Sequence, residues 1–218
     1  MKPWIVGAAQ PNNIRLRIFY AYPTKQFFEN DAGAVAQQII TSCKRAAKVM
    51  APYKIGVKVL ANGEDRIGFY PASANLLSRG KDRFGTTRVI EPTARAIRKR
   101  ISNDHGAITK ECVILFGALG VNLNGHTVET GATPSASDPY WFSCVNIQGH
   151  HPTTMIHEIV HLAGFFHWHA RRDHADRSTV DQTHLMASAE NKLVKSYDHR
   201  ATLFPKQMAK FRGAFFYE

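Results

Sequence analysis

The chain has 218 residues, 44% of them hydrophobic and 21% charged, enough for one sizeable core and far from the make-up of a disordered polyelectrolyte or a collagen-like repeat. Three cysteines cannot build a disulfide framework. A net charge of +11 favours anionic partners, but the basic residues are scattered and no RNP-like, zinc-finger or helix-turn-helix pattern accompanies them, so nucleic acid is not the expected partner.

The apolar run Trp4 to Ala9 is too short for a signal-peptide core, and nowhere do 18 apolar residues run together, so neither a leader nor a membrane span is expected. Residues Ile14 to Tyr20 alternate apolar and polar, which predicts a strand ending at Tyr22-Pro23. After Asp31, which suits an N-cap, Val35, Ile39, Cys43, Ala47 and Met50 recur every three or four positions. That period predicts an amphipathic helix, stopped by Pro52. Lys54 to Leu60 returns to strand character, and residues 62–84 read as a loop with one short helix over Ala72 to Leu77. Pro92 opens a helix to about Ile101 whose exposed side is basic. Cys112 to Phe116 is an unbroken apolar run before Gly117, the pattern of a strand buried on both faces. Strand candidates follow at His126 to Glu129 and Tyr140 to Ile147. Strands alternating with helices predict an α/β chain with a mainly parallel sheet in one compact unit. Cys43, Cys112 and Cys144 lie in apolar stretches and read as buried thiols, with a Cys112 to Cys144 bridge open if their strands are neighbours.

Histidine is the unusual residue, because 9 of the 11 fall between His150 and His199. Pro152-Thr153-Thr154 supplies a helix start, and Met155 to Phe166 continues with helix-compatible apolar residues. His157 and His161 stand four residues apart, so both imidazoles project from one face and can grip one ion. Glu158 is turned aside, where it can reach a water at that ion. Gly164 permits the backbone to end the helix and turn, so that His167 can swing back as a third imidazole. Three neutral imidazoles and an open fourth position are the arrangement of catalytic zinc. From this chain's own residue frequencies, the pattern His157-Glu158-x-x-His161-x-x-Gly164-x-x-His167 arises by chance in roughly one chain in ten thousand, which sets it apart from short motifs with many false positives. His169 or Asp173 in place of His167, or Glu190 from a later segment, fit the spacing less well. His150, His151, His169, His174 and His184 read as polar loop residues.

This string resembles the extended signature of the metzincin clan of zinc metallopeptidases, which is followed by a methionine-containing turn. Met186, in His184-Leu185-Met186-Ala187-Ser188 and 19 residues after His167, stands at the matching position. The resemblance implies that its side chain forms an apolar floor beneath the metal without being a ligand. It is specific over His157 to Met186 and architectural elsewhere. It implies a twisted, mainly parallel sheet with an antiparallel edge strand, an active-site helix, and a small, mostly irregular C-terminal lobe with a terminal helix near Pro205 to Phe215. Residues 1–218 are then a single catalytic domain, with an upper lobe over 1–167 and a lower lobe over 168–218. The edge strand that holds extended substrate falls on His126, Thr127, Val128 and Glu129, and the specificity pocket on about Ala187 to Tyr197. Ser188 stands where astacin-like and serralysin-like members carry a tyrosine, and the helix from Pro92 to Ile101 is an addition, so no subfamily is assigned.

The activity so implied is that of a zinc-dependent endopeptidase with Zn2+ held by His157, His161 and His167. Glu158 acts as general base on zinc-activated water and returns the proton to the departing amine. The expected partner is a protein or peptide substrate, and the expected state a monomer. The alternatives are a zinc amidase acting on cell-wall peptide and a basic nucleic-acid-associated protein with a protease site. With no visible leader or switch cysteine ahead of the first strand, the chain reads as a bacterial effector or toxin. The localisation stays open between work at the site of its cytoplasmic synthesis and export by a specialised secretion system, with a separate inhibitor or immunity protein to restrain it.

Overall fold

The computed structural model describes residues 2–22, 25–71, 79–81, 87–89, 91–108, 110–117, 125–127, 142–146, 151–163, 165, 185–186, 202–203, 205–214 and 216–218. In chain order they form β1 (Trp4–Val6), β2 (Asn12–Tyr22), α1 (Lys25–Met50), β3 (Ile55–Val59), β4 (Ile67–Pro71), β5 (Arg79–Lys81), β6 (Thr87–Val89), α2 (Glu91–His105), β7 (Cys112–Gly117), β8 (Gly125–Thr127), β9 (Phe142–Asn146), α3 (Thr153–Leu162) and α4 (Pro205–Arg212). The fold is mixed α/β around a mostly parallel sheet of order β1-β3-β2-β7-β9-β8, antiparallel at its two outer pairs. No described helix is long and apolar enough to cross a membrane.

β2 organises the sheet. Its first half pairs in parallel with β3 (Asn12 opposite Ile55) and its second half with β4 (Ile18 opposite Ile67), so these two short strands lie end to end along it. Between them Asn62 is buried, and its Nδ2 donates to the Ile18 carbonyl at 3.1 Å, replacing the ladder bond the break removes. β7 runs along the other edge of β2, Leu16 opposite Cys112 and Ala21 opposite Gly117. Parallel strands need a crossover, and α1 supplies it between β2 and β3. α1 packs over β1, β2 and β3, α3 packs beside β7, β8 and β9, and the two helices touch.

Side-chain alternation follows from the strand period of two. Ile14, Leu16 and Ile18 are fully buried, as are all of Cys112 to Phe116. Arg15, Arg17 and Phe19 take the opposite face: Arg17 Nη1 donates to the carbonyls of His105 and Gly106 at 3.1 Å each, and Phe19 meets the His105 ring edge-on. Arg15 pairs with buried Glu111 and with Glu218, both at 3.1 Å. Residues 216–218 return to β2, where Asn13 and Glu218 exchange both backbone hydrogen bonds (2.7 and 3.0 Å). Met208, Phe211 and Phe216 join the same apolar core as the sheet.

Several sequence expectations need correction. α1 begins at Lys25, so Asp31 lies inside the helix; no helix breaker stands between Pro23 and Asp31 to delay it. α1 ends at Met50 in a short 3-10 turn, Ala51–Tyr53, closed by Lys54 at φ 59°. Residues read as loop contain β4, and β5 pairs antiparallel with β6. α2 runs on to His105 and ends at Gly106, whose φ of 85° is the left-handed conformation of a helix stop. β7 and β9 are neighbours, but Cys144 is opposite Leu115, three residues along from Cys112. That offset, about 10 Å along the strand, is beyond disulfide reach. Cys43 and Cys112 are both buried, and burial pushes the Cys43 thiol up to about 12, so it stays protonated. The short helix expected over 72–77 lies outside the described residues.

Candidate metal centre

α3 is apolar on nearly every side, and every one of its residues is buried. Its start is tied from two directions. His151 Nδ1 accepts from the Thr153 N–H at 3.2 Å and the His151 carbonyl from the Thr154 N–H at 2.8 Å, while Arg45 Nε of α1 donates to the Thr153 hydroxyl at 3.1 Å. His151, read from the sequence as a loop residue, therefore satisfies two of the orphan amides of a helix start. The helix stops at Leu162 rather than continuing to Phe166. Beyond it the Phe165 carbonyl turns back toward His161, the reverse of the helical direction.

His157 and His161 project from this helix with ring centroids 4.8 Å apart and planes at 87°. Their relative exposures are 9% each, and Glu158 between them is 5% exposed. Nδ1 of His157 lies 2.7 Å from the Leu185 carbonyl, and Nδ1 of His161 lies 2.6 Å from the Phe165 carbonyl. A carbonyl oxygen only accepts, so each Nδ1 carries the proton and donates. In the neutral ring Nε2 then holds the lone pair, and both rings are fixed in the tautomer that offers Nε2 to a cation. The donor set and its orientation suit a borderline-soft divalent ion such as zinc.

Met186 follows Leu185 directly and is fully buried. The turn carrying it is therefore joined to the first histidine of the motif through the carbonyl of its neighbour. The backbone of Gly125, His126 and Thr127 forms β8, antiparallel to β9 with His126 opposite Cys144, at the end of the sheet path and beside α3. Val128, Glu129, Gly164, His167, His169, Asp173, His174, His184, Glu190 and the expected pocket over 187–197 lie outside the described residues. Among the described residues no group of three His, Cys, Asp or Glu side chains comes together as a metal cluster; the His157 and His161 ring centroids lie 4.8 Å apart.

Neither a scan of family models nor a search of curated proteins finds a match for this chain. The orienting groups, the Leu185 and Phe165 carbonyls, have no side-chain signature and could be anticipated only by position. One is just before Met186, and the other is four residues after His161.

Proposed function

We propose that the chain is a zinc-dependent endopeptidase of metzincin type. The observation that carries the reading is the paired orientation of His157 and His161. Two imidazoles one helical turn apart, on a buried helix, each have Nδ1 committed to a main-chain carbonyl. Ordinary buried histidines need no such matched pair. The Leu185-Met186 turn against His157 and the antiparallel β8 beside α3 support the same reading, since an extended peptide can add to a sheet edge.

On this reading His157, His161 and His167 hold zinc. The ion supplies Lewis acidity, which polarises a carbonyl and makes water a nucleophile near neutral pH. Glu158 accepts the proton of the attacking water and hands it to the departing amine, so its carboxylate moves one proton in each direction per turnover. Burial of Glu158 and both histidines keeps competing solvent from these groups. The substrate class is an extended peptide lying along the β8 backbone.

A peptide-library digest with wild type, wild type plus chelator, and Glu158→Ala tests the proposal. Chelator-sensitive cleavage that is absent from the variant is expected. Cleavage by the Glu158→Ala protein at the wild-type rate overturns it.

A further inference from the structure

Leu185, whose carbonyl receives the His157 proton, is held from its other side as well, because its N–H donates to the Thr202 carbonyl at 2.9 Å. The next residue along, Leu203, is gripped by a single side chain. The Tyr53 hydroxyl accepts from the Leu203 N–H at 2.7 Å and donates to the Leu203 carbonyl at 3.2 Å. One phenol thus serves both main-chain groups of one residue, as a strand partner would, across 150 positions of sequence. Leu203 is 4% exposed, so without the phenol both groups would be left buried and unpaired.

The placement of Tyr53 is also determined. It closes the 3-10 turn Ala51–Tyr53 at the end of α1, immediately before left-handed Lys54, whose N–H bonds the Ala51 carbonyl at 2.9 Å. α1 is itself packed on α3 and linked to it by Arg45 and Thr153. The helix bearing His157 and the residue bracing its orienting carbonyl therefore share one rigid base. A continuous hydrogen-bonded strap runs from Tyr53 through Leu203, Thr202 and Leu185 to the His157 ring.

We infer that Tyr53 is a positioning residue for His157, acting through residues 202–203 and the Leu185 carbonyl to fix the ring's direction and tautomer; this rests on the zinc reading above. The phenol need not approach substrate or metal to do so.

The test uses the full chain. Zinc affinity is measured by competition with a chelating dye for wild type and Tyr53→Phe, together with visible absorption of both proteins loaded with Co2+, at a temperature where circular dichroism shows both folded. Loss of an outer partner of a ligand lowers metal affinity by about ten- to a hundredfold, and about tenfold weaker zinc binding with a shifted Co2+ spectrum is expected. A merely structural role for Tyr53 lowers the unfolding temperature and leaves affinity and spectrum unchanged, and that result overturns the inference. Wild type that binds neither ion overturns the zinc reading itself. If Tyr53→Phe does not fold, hydrogen exchange on wild type decides. The Leu203 and Leu185 amides and the His157 Nδ1–H should open together, and a freely exchanging Leu203 amide beside a protected His157 ring proton overturns the coupling.

Discussion

Helices α2 and α3 both carry a histidine in their last turn, and the two are put to different uses. On α2, Ile97 and Ile101 are buried while Lys99 and Arg100 are exposed, an ordinary amphipathic division. His105 packs edge-on against Phe19, 5.1 Å between centroids, with Nε2 3.4 Å from the Phe69 carbonyl, and its own carbonyl accepts from Arg17. It is a helix-end residue. On α3 no side is left to solvent, and two rings share one face with each Nδ1 committed to a close carbonyl. What makes a histidine a metal-ligand candidate is therefore a second ring at helical spacing, burial of both, and an acceptor that leaves Nε2 as the lone-pair atom.

The largest effect should come from the residue between those rings. Glu158→Gln keeps the shape of the side chain and removes the proposed base, so kcat/KM on any peptide the wild type cuts should fall by about 10²- to 10⁴-fold while bound zinc, counted by mass spectrometry, is unchanged. Zinc lost together with activity would mean that Glu158 holds the site instead of working in it. Next in size is the contrast between histidines. His157→Ala should weaken zinc binding by more than the roughly 100-fold upper range for an outer partner, whereas His105→Ala should leave the zinc dissociation constant where it was. Equal losses from the two variants would erase the distinction between the helices.

Packing sharpens the same comparison. Ile159 on α3 is fully buried, so Ile159→Ala should cost about 2–5 kcal/mol in denaturant unfolding, while Lys99→Ala on the exposed side of α2 should stay within about 0.5 kcal/mol. Similar costs at the two positions would show that α2 is packed on more sides than its exposed Lys99 and Arg100 indicate.

What could be read from the sequence divides along a physical line. β2, β7 and α3 announce themselves because a single face, or all faces, must be apolar, and that requirement is written in side chains. The two motif histidines of α3 are legible for the same reason, their spacing being the helical repeat. β1 and β4 are short and lean on neighbours far away in sequence, and the antiparallel return of residues 216–218 to Asn13 is made of main-chain bonds. Such bonds carry no residue identity. The Leu185 and Phe165 carbonyls and the capping role of His151 were hidden in the same way, and Tyr53 looks like one more half-buried aromatic until Leu203 is placed against it.

The smallest predicted effect concerns a polar cluster of the exposed kind, like the Arg100 and Asp104 pair on α2 at 3.5 Å. Glu218 accepts from Lys58 Nζ at 2.6 Å and from Arg15 at 3.1 Å, and the hydrogen bond from Lys58, followed by the charges of Arg15 and Lys58, outweighs burial and holds its carboxyl below the usual carboxylate range. A depressed carboxylate adds stability that is complete above its unfolded pKa, about 4.5, and is lost as pH falls through the lower folded value. With the Glu218 side chain 36% exposed, solvent screens both contacts. Glu218→Gln should therefore cost about 0.2–1 kcal/mol at pH 7, shrinking in high salt. Urea unfolding of both proteins from pH 7 to pH 3 should show the two midpoints converging in acid. A gap that persists unchanged at pH 3 would mean that the side chain's packing, and not its charge, fastens residues 216–218 to β2.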